Sequence, residues 1–112
     1  MKVVALFCLH KICTNNCFKR MFYWDNRGGG SPQLFHIDGK YVIVYDGVYR
    51  EGDWSNYTRN IGMLISETPN GPWTRVSDMR PIISTGKDTS DFDHFLACNP
   101  SLVKHPDGRY FI

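Results

Sequence analysis

From Ser31 onward the apolar residues come in runs of strand length, separated by turn-forming residues. Residues 33–37 and 40–45 flank Asp38-Gly39, and Asp-Gly between apolar runs predicts a hairpin because both turn positions tolerate positive φ. Residues 61–66 are apolar throughout, which predicts a third strand covered on both faces. The turn cluster at residues 67–72 leads into Trp73-Thr74-Arg75-Val76, whose alternation of large apolar with polar residues predicts a half-exposed outer strand. Between the second and third strands, residues 46–60 are polar and glycine-containing, and predict a loop lying over a surface. Pro81-Ile82-Ile83 then leads through a polar run to Asp91-Phe92-Asp93 and on to Asn99-Pro100.

The segment Ser31-Pro32-Gln33-Leu34-Phe35-His36-Ile37-Asp38-Gly39-Lys40-Tyr41-Val42-Ile43 returns as Asn99-Pro100-Ser101-Leu102-Val103-Lys104-His105-Pro106-Asp107-Gly108-Arg109-Tyr110-Phe111-Ile112, with one residue inserted before the Asp-Gly. The offset from Pro32 to Pro100 is 68 residues, near that of one four-stranded propeller blade with generous loops. The second copy stops at Ile112 in the middle of an expected strand, so the chain reads as a cut-off piece. This order of elements predicts an all-β fold: a partial β-propeller, with one four-stranded antiparallel blade and the start of a second. Residues 1–30 form an N-terminal segment, strand-like and then poorly patterned, and 31–112 the incomplete propeller domain. Within it the blade covers 31–84 and the next begins at 93–112. A plain antiparallel sheet or sandwich with two similar hairpins is the alternative.

Composition narrows the function classes. With 42% hydrophobic and 14% aromatic residues, the 112-residue chain has enough apolar surface to fold by burial. The 13 basic residues are interleaved with 11 acidic ones for a formal charge of +2, leaving no basic track for a nucleic-acid partner. No apolar run reaches the roughly 18–20 residues of a membrane span, and no membrane partner is expected. Met1-Lys2 before the apolar residues 3–9 reads as a buried strand or a mis-started leader without a small-residue cleavage site. Asn56-Tyr57-Thr58 fits a glycosylation sequon, which carries meaning only on a secretory route, so localisation stays open. Cys8, His10, Cys13 and Cys17 lie close together but fit no paired-knuckle spacing; small apolar side chains in a strand and turn are the competing reading to zinc. Cys98 is expected to be a buried thiol, and neither a metal nor another cofactor is expected.

Three passages resemble the five-bladed β-propeller glycosidases of glycoside hydrolase family 43 and its relatives. Ile61-Gly62-Met63-Leu64-Ile65-Ser66-Glu67-Thr68-Pro69-Asn70-Gly71-Pro72-Trp73 is similar to a family stretch in which a strand runs into a Gly-Pro-Trp turn. Phe92-Asp93 before Asn99-Pro100-Ser101 resembles the passage that opens a blade, and the Asp-Gly-aromatic hairpin occurs in both copies. The resemblance implies hydrolysis of O-glycosidic bonds in the parent family, with carbohydrate as partner. Such chemistry needs one carboxylate to act on water or the anomeric carbon and another to protonate the leaving oxygen.

Carried over by residue, the resemblance implies that Asp93 is the aspartate that tunes the pKa of the acid; an Asp capping its own loop is the competing reading. His94 beside it is a further candidate for the funnel. Family 43 places its general-base aspartate directly before the first blade's proline, where this chain has Ser31, and a serine hydroxyl does not deprotonate water at neutral pH. Asp25 is the candidate substitute base. No general-acid glutamate is assigned, since the blade that the resemblance implies should supply it is expected beyond Ile112; Glu51 and Glu67 fall in a loop and a blade turn and read as solvated carboxylates, and the chain is expected to be inactive on its own. Tyr49, Trp54 and Tyr57 are candidates for stacking on sugar rings, or else staples for their loop. A noncatalytic carbohydrate-binding or interaction module is the alternative function, and sheet edges left exposed are expected to favour self-association.

Overall fold

The computed structural model describes residues 24–25, 28–50, 57–77 and 79–112. They form an all-β structure with two antiparallel sheets. The larger has four strands in sequence order: β1 (Gly29–Ile37), β2 (Lys40–Arg50), β3 (Tyr57–Ser66) and β4 (Thr74–Arg75). The smaller pairs β5 (Val103–Lys104) with β6 (Tyr110–Phe111) and is the second copy of the β1–β2 hairpin.

The first hairpin turns where expected. Asp38 and Gly39 both have positive φ, 49° and 79°, as a two-residue hairpin turn requires. A methyl group at Gly39 would meet no atom within 4 Å. Gly39→Ala is therefore expected to cost about 1 kcal/mol through the backbone alone, read as a lower urea midpoint with unchanged slope.

β2 and β3 run further than the sequence pattern predicts. Residues 46–50 continue β2 and residues 57–60 open β3, in unbroken register from Tyr41↔Ser66 to Arg50↔Tyr57, so both ends of the expected 46–60 loop are strand, and 51–56 lie outside the described residues. The polar stretch holds as strand because Asp46 is buried and paired with Arg59 of the neighbouring strand. β1 likewise starts at Gly29, and Trp24 and Asp25, ahead of the expected domain, pack against the sheet.

Two-residue alternation divides the sheet between two faces. One carries Ile43, Tyr45 and Leu64, the core cluster, against which Trp24, Leu34 and Trp73 pack. The other carries Val42, Val44 and Asp46 from β2, with Ile61 and Arg59 from β3. Arg75, in the expected outer strand, pairs with Leu64 and lies on the core face, its side chain 4% exposed. Its reason for turning inward is Asp25, which accepts its ion pair there.

Beyond the short β4, later segments cover the outer edge of β3. The Val76 N–H donates to the Met63 carbonyl, the Ile61 N–H donates to the Ile83 carbonyl while the Ile61 carbonyl accepts from the Ile82 and Ile83 N–H groups, and the Ala97 N–H donates to the Arg59 carbonyl at 2.9 Å. Unpaired edges are thereby closed along most of β3. The same course brings Cys98 to the surface, where its thiol is exposed rather than buried; the positive φ of Asn99 (56°) turns the chain inward only after it, and Pro100 is the buried residue.

Candidate functional site

The bulge in β1 organises the site. Gly30 pairs with Asp46 and Gln33 with Val44, so Ser31 and Pro32 together oppose Tyr45. Proline, lacking a donor, suits a bulge, and the extra residue re-aims the neighbouring side chain. Ser31 takes φ 45°, a left-handed conformation uncommon for any residue with a Cβ. Its hydroxyl donates a 2.7 Å hydrogen bond to Oδ1 of Asn99. Ser31 and Asn99 are the equivalent residues of the two repeat copies, each directly before a proline and each at positive φ. The openings of the two copies therefore touch at matching positions.

Behind this contact lies Asp46, 0% exposed. Its Oδ2 accepts from Arg59 Nη1 at 3.1 Å and its Oδ1 from the Asn99 backbone N–H at 3.4 Å. Gly30 leaves room for the carboxylate, since a Cβ there would stand 3.2 Å from Oδ2. Arg59 is 36% exposed along its side chain, while its Nε is buried without a hydrogen-bond partner. Next to it Asn60 accepts the Thr85 N–H at 2.9 Å, tying the 84–94 loop to the same end of β3. The result is a polar cluster of hydroxyl, amide and guanidinium over a buried carboxylate, drawn from β1, β2, β3 and the start of the second copy. Its polar groups include both hydrogen-bond donors and acceptors. Its two surface groups nearest the repeat contact, a hydroxyl and an amide, do not accept a proton from water at neutral pH.

Asp25 occupies the opposite, core face. Arg75 Nη2 donates to its Oδ1 at 3.0 Å, Arg75 Nη1 lies 2.9 Å from Oδ2, and the Tyr45 hydroxyl donates to Oδ2 at 2.9 Å. Burial raises the Asp25 carboxyl above the ordinary aspartate range, against the pull of Arg75 and the Tyr45 hydroxyl. It has no exposed surface, and both its oxygens are engaged in these contacts. The structure places it as the anchor of an ion pair.

Of the other residues singled out by sequence, Asp93 is half-buried, its Oδ1 folded with Asp91 over Gly86. The His94 ring and backbone N–H both sit against the Asp91 carbonyl, 3.0 and 3.2 Å away, and the ring meets Phe95 edge-on. Tyr49 pairs with Thr58 and Tyr57 with Arg50, which sends the two tyrosines to opposite faces of the sheet. They do not form one stacking platform. Trp54 lies outside the described residues, as do Glu51 and the group Cys8, His10, Cys13 and Cys17.

Sequence reading missed Asp46, Arg59 and Asn99 as one site. A signal for Asp46 was present: Val42, Val44, Asp46 and Val48 keep the two-residue alternation of β2, so the aspartate stands at an inward position. A separate cavity of about 210 Å³ lies between β2, β3 and the 67–74 turn, lined by Lys40, Ser66, Glu67 and Thr74 among others, with the exposed Lys40–Glu67 pair at its rim. It sits five residues down β3 from the position opposite Asp46, about 17 Å along the strand, and is lined by Glu67 and by Gly71 and Pro72 of the Gly-Pro-Trp turn. No protein-family model matches the chain, and no curated protein matches it.

Proposed function

We propose that this chain is a carbohydrate-directed piece of a family 43-like β-propeller, with β1–β4 as one blade and β5–β6 opening the next. Hydrolysis of O-glycosidic bonds is the chemistry of that class, and this chain binds carbohydrate without cleaving it. The observation that carries the reading is the 2.7 Å contact between Ser31 and Asn99. In a propeller the leading residues of successive inner strands converge on one funnel, and here the equivalent residues of the two copies meet. Supporting it, Phe92, Phe95, Val103, Phe111 and Ile112 are exposed, as faces covered by neighbouring blades or a second copy would be.

Absence of turnover follows from the carboxylates. Ser31 stands where the base belongs, Asp25 is locked to Arg75, and Glu67 is an exposed turn residue paired with Lys40. Incubated with aryl arabinosides and xylosides, the chain is expected to release no phenol above the buffer rate while still binding the corresponding oligosaccharides in calorimetry. Release that disappears in Asp93→Asn would overturn the inactive reading, and failure to bind any saccharide would overturn the carbohydrate reading. A noncatalytic carbohydrate-binding or interaction module outside the glycosidase class is the second reading, in which Ser31, hydrogen-bonded to Asn99, is native rather than a replaced base.

A further inference from the structure

We propose that Asp46 is the positioning residue of this site: from the central strand it fixes Asn99 and Arg59 so that Ser31 and Asn99 present a hydroxyl and an amide, at set separation, to a pair of hydroxyl groups on a sugar. The ligand class rests on the carbohydrate reading above; the positioning role rests on geometry. Asp46 is fully buried and reaches two elements remote in sequence, Arg59 on β3 and Asn99 at the opening of the second copy. Arg59 grips that same segment a second time, through its carbonyl to the Ala97 N–H and the parallel bridge to Leu96. Residues 96–99 are thus docked on β3 by backbone and on β2 by a carboxylate.

Asn99, held by Asp46, and Ser31, held by Asn99, are both at positive φ, as is Asp38 of the hairpin turn. Non-glycine residues at positive φ persist where surrounding contacts over-determine them, and such strain concentrates at sites that grip ligands. Proline at the next position disfavours the α region further for Ser31 and Asn99. Asn99 is exposed, and its amide nitrogen has a long 3.8 Å contact with the Cys98 sulfur as its described partner. That leaves donor capacity on Asn99 and acceptor capacity on the Ser31 oxygen, which together match the donor and acceptor of neighbouring sugar hydroxyls. Asp46, being buried, touches no ligand and acts through the residues it holds.

The test is an amide-resolved NMR titration of the full chain with L-arabinose, D-xylose and their short oligosaccharides, in wild type, Asp46→Asn and Asn99→Ala. The wild-type amides of Ser31 and Asn99 are expected to shift on titration. In Asp46→Asn, affinity is expected to fall about tenfold, as for loss of a charge-assisted hydrogen bond. Hydrogen exchange at Asn99 is expected to quicken in that variant while Ile43 and Leu64 keep their protection, which a general loss of stability would not produce. Asn99→Ala changes an exposed side chain and is expected to weaken binding with the same core protection. Shifts confined to other residues, or wild-type titrations in both variants, would overturn the positioning role and leave the carbohydrate reading standing. No shift with any saccharide would overturn both, and unchanged exchange at Asn99 in Asp46→Asn would overturn the positioning role alone.

Discussion

Arg75→Leu is expected to lower the free energy of unfolding by about 3–5 kcal/mol at neutral pH, the range for removing one partner of a buried ion pair. Both groups are out of solvent, Asp25 at 0% and the Arg75 side chain at 4% exposure, so the cost is that of stranding a carboxylate with the Tyr45 hydroxyl as its described side-chain partner. Domains of this size have about 5–15 kcal/mol in total, so the variant sits near the edge of folding. The penalty depends on pH with a definite sign. Burial already raises the Asp25 carboxyl above the ordinary aspartate range, so the folded chain holds that proton more tightly than the unfolded one. Ionising Asp25 therefore removes stability as pH rises from the unfolded value of 3.8 through the raised folded value. Without Arg75 to favour the charged form the folded value rises further, so acid relieves the variant: a neutral acid needs no counter-charge. Urea midpoints at pH 7.5 and 4.5 check this, and the gap between wild type and Arg75→Leu is expected to narrow at the lower pH. An equal gap at both would mean that Asp25 does not carry the interaction. The double change Asp25→Leu with Arg75→Leu is expected to cost less than Arg75→Leu alone, because it leaves no buried charge unpaired.

The same two residues mark where sequence reading stops. The Asp38-Gly39 hairpin, the third strand and the turn after it were legible because their signals are local: a dipeptide that accepts positive φ, and an apolar run of strand length. Asp46 and Arg75 were not, since a polar residue next to a strand reads as loop or outward face. Each turns inward because of a partner distant in the chain, 50 residues away for Arg75 and Asp25, 53 for Asp46 and Asn99. Such pairings exist only once the fold brings them together. The sheet carries an Asp–Arg pair on each face, Asp25–Arg75 buried on one and, on the other, the buried Asp46 with the part-exposed Arg59. The site was half legible: the repeat marked Ser31 and Asn99 as equivalent positions, but not that they touch.

Trp24 and Gly62 supply a second large effect, through shape. The Trp24 ring stacks on Tyr45 with centroids 5.8 Å apart and lies over two glycines, Gly47 on β2 and Gly62 on β3. A Cβ at Gly62 would come within 2.6 Å of both Trp24 Cη2 and Tyr45 Cζ, and one at Gly47 within 2.6 Å of the Asp25 Cβ. Neither glycine has a positive φ, so their role is to make room for the ring. Gly62→Ala is accordingly expected to cost about 1–3 kcal/mol by overpacking, although alanine in an open strand position costs nothing of that kind. Trp24→Ala is expected to cost about 3 kcal/mol, the low end for a large aromatic because the ring is only partly buried. Combined, the two should cost less than their sum by about 0.5–3 kcal/mol, since the vacated ring space accepts the new methyl group. Urea unfolding of wild type, both single variants and the double closes the cycle, and additive costs would show that the ring and Gly62 do not compete for one space. Trp24→Phe separates shape from hydrogen bonding. The indole Nε1 is buried with no hydrogen-bond partner among the described residues, so phenylalanine removes an unsatisfied donor while keeping most of the stack, and it is expected to be far milder than alanine.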